Sequence, residues 1–365
     1  MRVVLAGGGT AGHVFPALSV ADELRSRGAE VTFVGAAEGQ EATLVPAAGY
    51  AFVPVRAISA QTRLSLRSAK AIALAVRAAR GVRPIVAAAD VVVGVGGFAS
   101  APAVLAARWT RTPLILIDQN SVPGVVNRIA ARWARAVATT FEATASRLPS
   151  GPRIVRTGNP IRGDIVAVAA HRPALSTEAR AAFGLDEGRG TILVVGGSLG
   201  ALHLDQVIAE ALPLLRDRHD LQLLVSTGRG HEDVVSGAVD PAGALLVRVV
   251  PFIDRMDLAL AVADLAVSRS GASVAELAAC GLPSILVPYP FATENHQEAN
   301  AREVVAAGAA TMIADADLSS SGLASCILEL MDDAPRRARM AHAALAWARP
   351  DAARRIADLV EETTA

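Results

Sequence analysis

The sequence predicts an α/β protein made of two doubly wound, parallel-sheet domains in tandem. Three observations predict it. Short β-branched runs alternate with longer Ala/Leu-rich stretches along the whole chain. The short runs are apolar throughout, which marks strands buried on both faces, as in a parallel sheet covered by helices. The pattern then occurs twice, and each half opens with such a run leading into a glycine-rich loop.

In the first half, strands are expected at 2–6, 30–34, 51–55, 91–95, 114–117, 136–140 and 153–155. In the second they are expected at 191–195, 221–226, 245–250, 265–268, 284–287 and 310–313. The turn residues Gly158-Asn159-Pro160-Ile161-Arg162 interrupt the pattern and place the join there. The domains are therefore read as 1–161 and 162–349. The helices expected after Asp332 and after Pro350 have no strand to follow them. They would cap a domain, the last one (about 350–365) by crossing back to the first.

A chain of 365 residues exceeds one ordinary core, and 52% apolar residues leave no case for disorder. Lys+Arg and Asp+Glu balance at 35 each, so no global field selects nucleic acid. Cys280 and Cys326 stand far apart without ligand-like spacing, which fits a reducing compartment and argues against a disulfide framework or a zinc knuckle. The residues following Met1 do not have the form of a signal peptide. The longest apolar stretch, Val91 to Ala107, is interrupted by Gly94, Gly96, Gly97 and Pro102, so no membrane span is expected.

The chemistry concentrates in four loops between a strand and a helix. Gly7-Gly8-Gly9-Thr10-Ala11-Gly12-His13 follows the first strand, and Gly94-Val95-Gly96-Gly97 ends a later one. In the second half, Gly196-Gly197-Ser198-Leu199-Gly200 and Ser268-Arg269-Ser270-Gly271-Ala272-Ser273 hold the corresponding places. Helix N-termini offer unpaired N–H groups and partial positive charge, and glycine allows close backbone approach, so such loops suit phosphate. Tight βα turns would account for one or two of them in any doubly wound fold. Four of them, shared between two domains, argue for a charged ligand held at the carboxyl edges of both sheets. Gly7, Gly9 and Gly12 also satisfy a dinucleotide fingerprint, but the second strand ends Val34-Gly35-Ala36 without the acid that would hold a ribose, and Glu38 comes late.

Nine segments in register now carry a resemblance. GGGTAGHVFPA at 7–17, GVGGFASAP at 94–102, DQNSVPGVVNR at 118–128, GNPIR at 158–162 and GGSLGA at 196–201 come first. FIDRM at 252–256, SRSGASVAEL at 268–277, GLPSILVPYP at 281–290 and NHQEANA at 295–301 follow. Together they resemble the MurG family, the bacterial glycosyltransferases of peptidoglycan synthesis. The resemblance spans nearly the entire chain and implies the GT-B architecture, two Rossmann-like domains facing across a cleft. It implies transfer of N-acetylglucosamine from UDP-N-acetylglucosamine to the C4 hydroxyl of the N-acetylmuramoyl unit of lipid I, forming lipid II with inversion.

By that resemblance Thr10, Ala11, Gly12, Asn120, Arg162, Ser198, Ile253, Ala272, Ser273, Glu276 and Gln297 would contact the donor. Ser198 and its neighbouring N–H groups suit the departing pyrophosphate, the Ile253 backbone the uracil edge, Glu276 the ribose hydroxyls and Gln297 the sugar. His13 is the expected general base, because imidazole titrates near neutrality. The bland alternative is that His13 only braces its loop. Gly96 and Gly97 are placed on the acceptor side. No cofactor and no metal are expected, leaving-group charge being met by backbone N–H groups. The chain departs from the family pattern at Ile117-Asp118, where a His-Glu pair is usual, at Phe98, where Tyr is common, and in a 271–276 segment one residue short.

The lipid acceptor requires a membrane approach, and the family implies the cytoplasmic face of the bacterial membrane, beside other cell-wall synthesis proteins. No acidic residue lies between Glu41 and Asp90, whereas Arg63, Arg67, Lys70 and Arg77 share one helical face with Leu66 and Leu74. Such a face suits an anionic surface, although an ordinary solvated face has the same composition. Ala69, Ile72, Val76 and Ala79 are expected to pack on the sheet. The other readings are a diacylglycerol glycosyltransferase, a UDP-N-acetylglucosamine 2-epimerase, or a nucleotide-sugar binder without catalysis.

Overall fold

The computed structural model describes residues 1–9, 11–57, 66–197 and 201–364, apart from the side chains of Ala11 and 66–69. The chain divides into two compact units, Met1–Arg162 with Arg349–Ala365, and Gly163–Ala348. Among the described residues the first unit has seven strands: β1 (Arg2–Gly7), β2 (Glu30–Ala36), β3 (Ala51–Val55), β4 (Val91–Gly96), β5 (Leu114–Asp118), β6 (Ala136–Thr139) and β7 (Arg153–Arg156). The second has six: β8 (Gly190–Val195), β9 (Leu221–Ser226), β10 (Leu246–Val250), β11 (Leu265–Ser268), β12 (Ser284–Leu286) and β13 (Ala310–Met312). Each expected strand is present within two residues of its predicted ends.

Every pairing is parallel. The orders are β3-β2-β1-β4-β5-β6-β7 and β10-β9-β8-β11-β12-β13. In both sheets the order reverses beside the first strand, so a topological switch point opens between β1 and β4 and another between β8 and β11. Crevices outside the carboxyl ends at such points are where open α/β sheets bind ligands.

Strand periodicity divides the first unit into two cores. Val3 and Leu5 point to a layer formed by Val14, Val20 and Leu24 of the helix Ala11–Ser26, with Ile356, Leu359 and Val360 of the helix Ala352–Thr364. Val4 and Ala6 point the other way, to Ala79, Val82 and Val86 of the helix Leu66–Ala87 and Val104 of the helix Ala101–Thr110. The Ala352–Thr364 helix is far from this unit in sequence and is held by charge as well as by packing. Arg27 reaches Asp358 at 2.7 Å and Glu361 at 2.9 Å. In the second unit Ile192 and Val194 pack on Leu204, Ile208 and Leu212 of the helix Leu202–Leu215 and on Leu323, Ile327 and Leu330 of the helix Ser320–Asp332.

One expectation about the Leu66–Ala87 helix is overturned. Ile72 does not pack on the sheet but is 63% exposed, while Ala71, Ala79, Val82 and Val86 are buried. The helix lies tightly against Ala101–Thr110. Small alanines permit that approach, and the bulkier Ile72 is turned outward. Among the described residues, no helix is long and apolar enough to cross a membrane.

Candidate functional site

In the first unit the site forms at the β1/β4 switch point. β1 and β4 run in register until their last residues, where Ala6 faces Gly94 but Gly7 faces Gly96, so Val95 is an extra residue. This bulge brings the two glycine loops together. A Cβ on Gly97 would stand 2.8 Å from the Gly8 carbonyl oxygen, and Gly97 has φ +72°, so no side chain fits there.

His13 is the third residue of the helix Ala11–Ser26 and is half-buried. Its Cδ2 and Nε2 lie 3.6 Å from where a Cβ of Gly96 would be, so the imidazole lies across the end of β4. The amide nitrogen of Asn127 comes within 3.5 Å of the same point. Asn127 is buried in the helix Val125–Ala130 and donates to the Ile117 carbonyl at 2.9 Å and to Asp118 Oδ2 at 3.0 Å. Asp118 ends β5 and also accepts from the N–H groups of Asn120 at 3.2 Å and Gly124 at 3.1 Å. Burial pushes its carboxyl up to about 6 against those three donors. His13, Gly96, Asn127 and Asp118 thus form one connected cluster. The sequence reading did not single out Asn127. Its signals were its place within the 118–128 segment and, nine residues after Asp118, on the helix that returns over the same strand end.

Among the other expected residues of this unit, Asn120 is partly buried, and its carbonyl accepts from Thr144 at 2.8 Å. Arg162 lays its guanidinium 5.1 Å from the ring of Phe15, on the His13 helix. Ala11 and Gly12 occupy the first turn of that helix, and Thr10 lies outside the described residues.

In the second unit the loops after β11 and β12 meet around the start of the helix His296–Ala306. Gln297 accepts the Tyr289 N–H at 2.9 Å, its own carbonyl accepts Ser270 Oγ at 2.7 Å, and its amide nitrogen passes over Gly271. Asn300 below it donates to the Ser270 carbonyl at 3.1 Å. Ala272 and Ser273 begin the helix Ser273–Ala279, and the Ser273 hydroxyl donates to the Arg269 carbonyl at 3.2 Å. Glu276 stands one turn further in and is half-buried. Ile253 is buried between β10 and the helix Met256–Val262. Ser198 lies outside the described residues.

Two charged groups here were given no role from the sequence. Arg269 is buried beneath its loop, donating to the carbonyls of Val287 and Pro288 and to Asp315, with Tyr289 over its guanidinium. Asp205, in the first turn of the helix Leu202–Leu215, is fully buried 3.7 Å from His231 Nδ1. Desolvation raises its carboxyl to about 6. Among the described residues no cluster of His, Cys, Asp and Glu is grouped to hold a metal ion.

On the face expected to meet a membrane, Lys70 and Arg77 are exposed and Leu74 is partly buried. The side chains of Leu66 and Arg67, and all of Arg63, lie outside the described residues. Trp109, on the neighbouring helix, is 39% exposed.

Comparison with known proteins gives a consistent outcome. Residues 3–139 match the glycosyltransferase family 28 N-terminal domain and residues 191–357 its C-terminal domain. A relative from Clavibacter michiganensis subsp. michiganensis is 41% identical, over 99% of this chain and 96% of its own length. One from Acidothermus cellulolyticus is 41% identical, over 100% and 98%. Both are named UDP-N-acetylglucosamine–N-acetylmuramyl-(pentapeptide) pyrophosphoryl-undecaprenol N-acetylglucosamine transferases. Among solved structures, the MurG of Acinetobacter baumannii superposes with a TM-score of 0.78 at 28% identity, covering 99% of both chains. The UDP-GlcNAc 2-epimerase of Neisseria meningitidis, at 13% identity and a TM-score of 0.69, shares the fold.

Proposed function

The chain belongs to glycosyltransferase family 28 and, within it, to the MurG family, and from this we infer how its residues carry out the transfer. It is a glycosyltransferase that uses UDP-N-acetylglucosamine and acts on N-acetylmuramyl-(pentapeptide) pyrophosphoryl-undecaprenol. The unit Met1–Arg162 with Arg349–Ala365 takes the acceptor, and Gly163–Ala348 takes the nucleotide sugar.

His13 is the general base. It removes the proton from the C4 hydroxyl of the N-acetylmuramyl unit while that oxygen bonds to C1 of N-acetylglucosamine. The C1–O bond to UDP breaks with its electron pair, and the configuration at C1 inverts. The observation that carries this role is the imidazole edge over Gly96, where a Cβ would stand 3.6 Å away. Glycine leaves room there for an acceptor hydroxyl at hydrogen-bonding distance from the base. Asn127 borders the same space.

In the second unit, Glu276 meets the ribose, the Ile253 backbone the uracil, and Ser198 with its loop the pyrophosphate. Gln297, its side-chain oxygen taken by Tyr289 N–H, presents its amide nitrogen to the sugar. Ala272 and Ser273 line the approach to Glu276, and Arg162, Asn120, Thr10, Ala11 and Gly12 complete the donor contacts. The face carrying Lys70 and Arg77 rests on anionic lipid at the cytoplasmic surface, as a peripheral contact.

The test is UDP release from UDP-N-acetylglucosamine with and without a lipid I analogue, for wild type and His13→Ala. Acceptor-dependent release, lost in a His13→Ala variant that still binds donor, is the expected result. Full turnover by that variant would remove His13 from the base role.

A further inference from the structure

A buried carboxylate that the reaction above does not use holds the first glycine loop. Glu41 opens the helix Glu41–Ala47 and is 1% exposed. Its Oε2 accepts the Gly9 N–H at 2.8 Å and its Oε1 the Ala36 N–H at 2.7 Å. One side chain therefore ties the loop after β1 to the end of β2. With both oxygens taken by backbone donors, it is not the ribose-binding acid of a dinucleotide fold.

Three glycines form its seat. A Cβ on Gly8, Gly35 or Gly39 would lie 2.1, 2.6 and 2.2 Å from Glu41 atoms. The backbone has thus yielded volume at three places to admit one carboxylate. A buried anion is stabilised only where charge-assisted hydrogen bonds replace water, and both of its bonds here go to main-chain N–H groups. The loop it fixes runs directly into the helix that carries His13, and its Gly8 carbonyl is packed against Gly97.

We propose that Glu41 is a positioning residue for the transfer, holding the Gly8–Gly9 turn so that the His13 imidazole lies over Gly96. The proposal rests on His13 as the base only for its effect on rate; its effect on the imidazole stands apart from that reading.

The experiment uses the full chain and the variants Glu41→Gln, Gly39→Ala and Glu41→Ala with and without Gly39→Ala. Gln keeps the volume but offers one acceptor and an NH2 that opposes an N–H donor. Gly39 has no left-handed φ, and the three atoms nearest its Cβ all belong to the Glu41 carboxylate, so Gly39→Ala displaces that carboxylate first. Two quantities are read: the NMR resonances of the His13 imidazole, assigned with His13→Gln, and kcat against the dissociation constant for UDP. Glu41→Gln and Gly39→Ala are expected to move the His13 resonances and to lower kcat by about 10–100-fold, the order that misplacement by 1 Å costs. UDP affinity stays within about twofold, and Gly39→Ala adds nothing once Glu41 is alanine, as residues acting through one contact should not add. Unmoved His13 resonances in folded variants would overturn the proposal, as would additive effects of Glu41→Ala and Gly39→Ala. Moved resonances beside a fully active His13→Ala would leave Glu41 as the positioning group and overturn His13 as base. Should Glu41→Gln fail to fold, Gly39→Ala decides by the same two readings.

Discussion

Replacing Asp118 by asparagine should change how stability depends on pH, and the structure fixes the sign. Burial lifts this carboxyl from 3.8 to about 6, against three hydrogen bonds that favour the anion. The folded state therefore holds the proton more tightly than the unfolded chain. The favourable contribution is complete below 3.8 and is lost as pH rises through 6. At about 1.4 kcal/mol per pH unit, ionised Asp118 costs about 3 kcal/mol at neutral pH. The asparagine of the Asp118→Asn variant cannot titrate, and its one oxygen leaves an N–H donor unmatched, a cost of about 1–3 kcal/mol independent of pH. The wild type is therefore expected to be the more stable protein at pH 4, and its advantage to shrink by about 2–3 kcal/mol by pH 7. Urea unfolding followed by tryptophan fluorescence measures this, since Trp109 and Trp133 lie in the first unit and only Trp347 in the second. The difference between the two proteins is the quantity to read, because Asp205 is also raised to about 6 and contributes its own slope to both. A difference that stays constant from pH 4 to 7 would refute the reasoning.

Two further outcomes test the packing and the membrane face. Ile356→Ala empties a fully buried position against the Ala11–Ser26 helix and should destabilise the first unit by about 2–5 kcal/mol, read as a lowered urea midpoint in the Trp109 and Trp133 signal. Lys70→Glu should weaken sedimentation with anionic vesicles while leaving the melting temperature unchanged, since that side chain is exposed; unchanged vesicle binding would make the face merely solvated.

The architecture was legible because its signal is carried by the interior of the strands. Val91–Val95 and Leu265–Ser268 are apolar on both faces, and only a covered parallel sheet supplies two apolar sides. The glycine loops were legible for a related reason, as strand-to-helix turns near a switch point have few alternatives to glycine. What could not be read was the company those glycines keep. Gly8, Gly35 and Gly39 look like ordinary turn residues until the Glu41 side chain is seen among them, and side-chain direction in a loop has no sequence period. Asn127 was hidden in the same way, its importance lying in the strand end above it. Ile72 was misplaced because apolarity alone set the helix phase. In an alanine-rich helix the tightest neighbour selects the smallest residues, so Ala71 and Ala79 are buried and isoleucine is exposed.

The helix Ala352–Thr364 has a consequence for how the molecule is made. Its apolar stripe packs on the His13 helix and β4, yet the whole of Gly163–Ala348 is translated in between. At about 5–20 residues per second, a nascent first domain waits roughly 10–40 s on the ribosome with part of one sheet face uncovered. The helix Ala11–Ser26 and β4 are the elements left without their partner in that interval. The second domain, contiguous in the chain, meets no such delay and can finish folding while its predecessor is still incomplete. Order of synthesis and order of folding are therefore inverted, and a chaperone that shields exposed apolar surface would be needed most by the half that is made first.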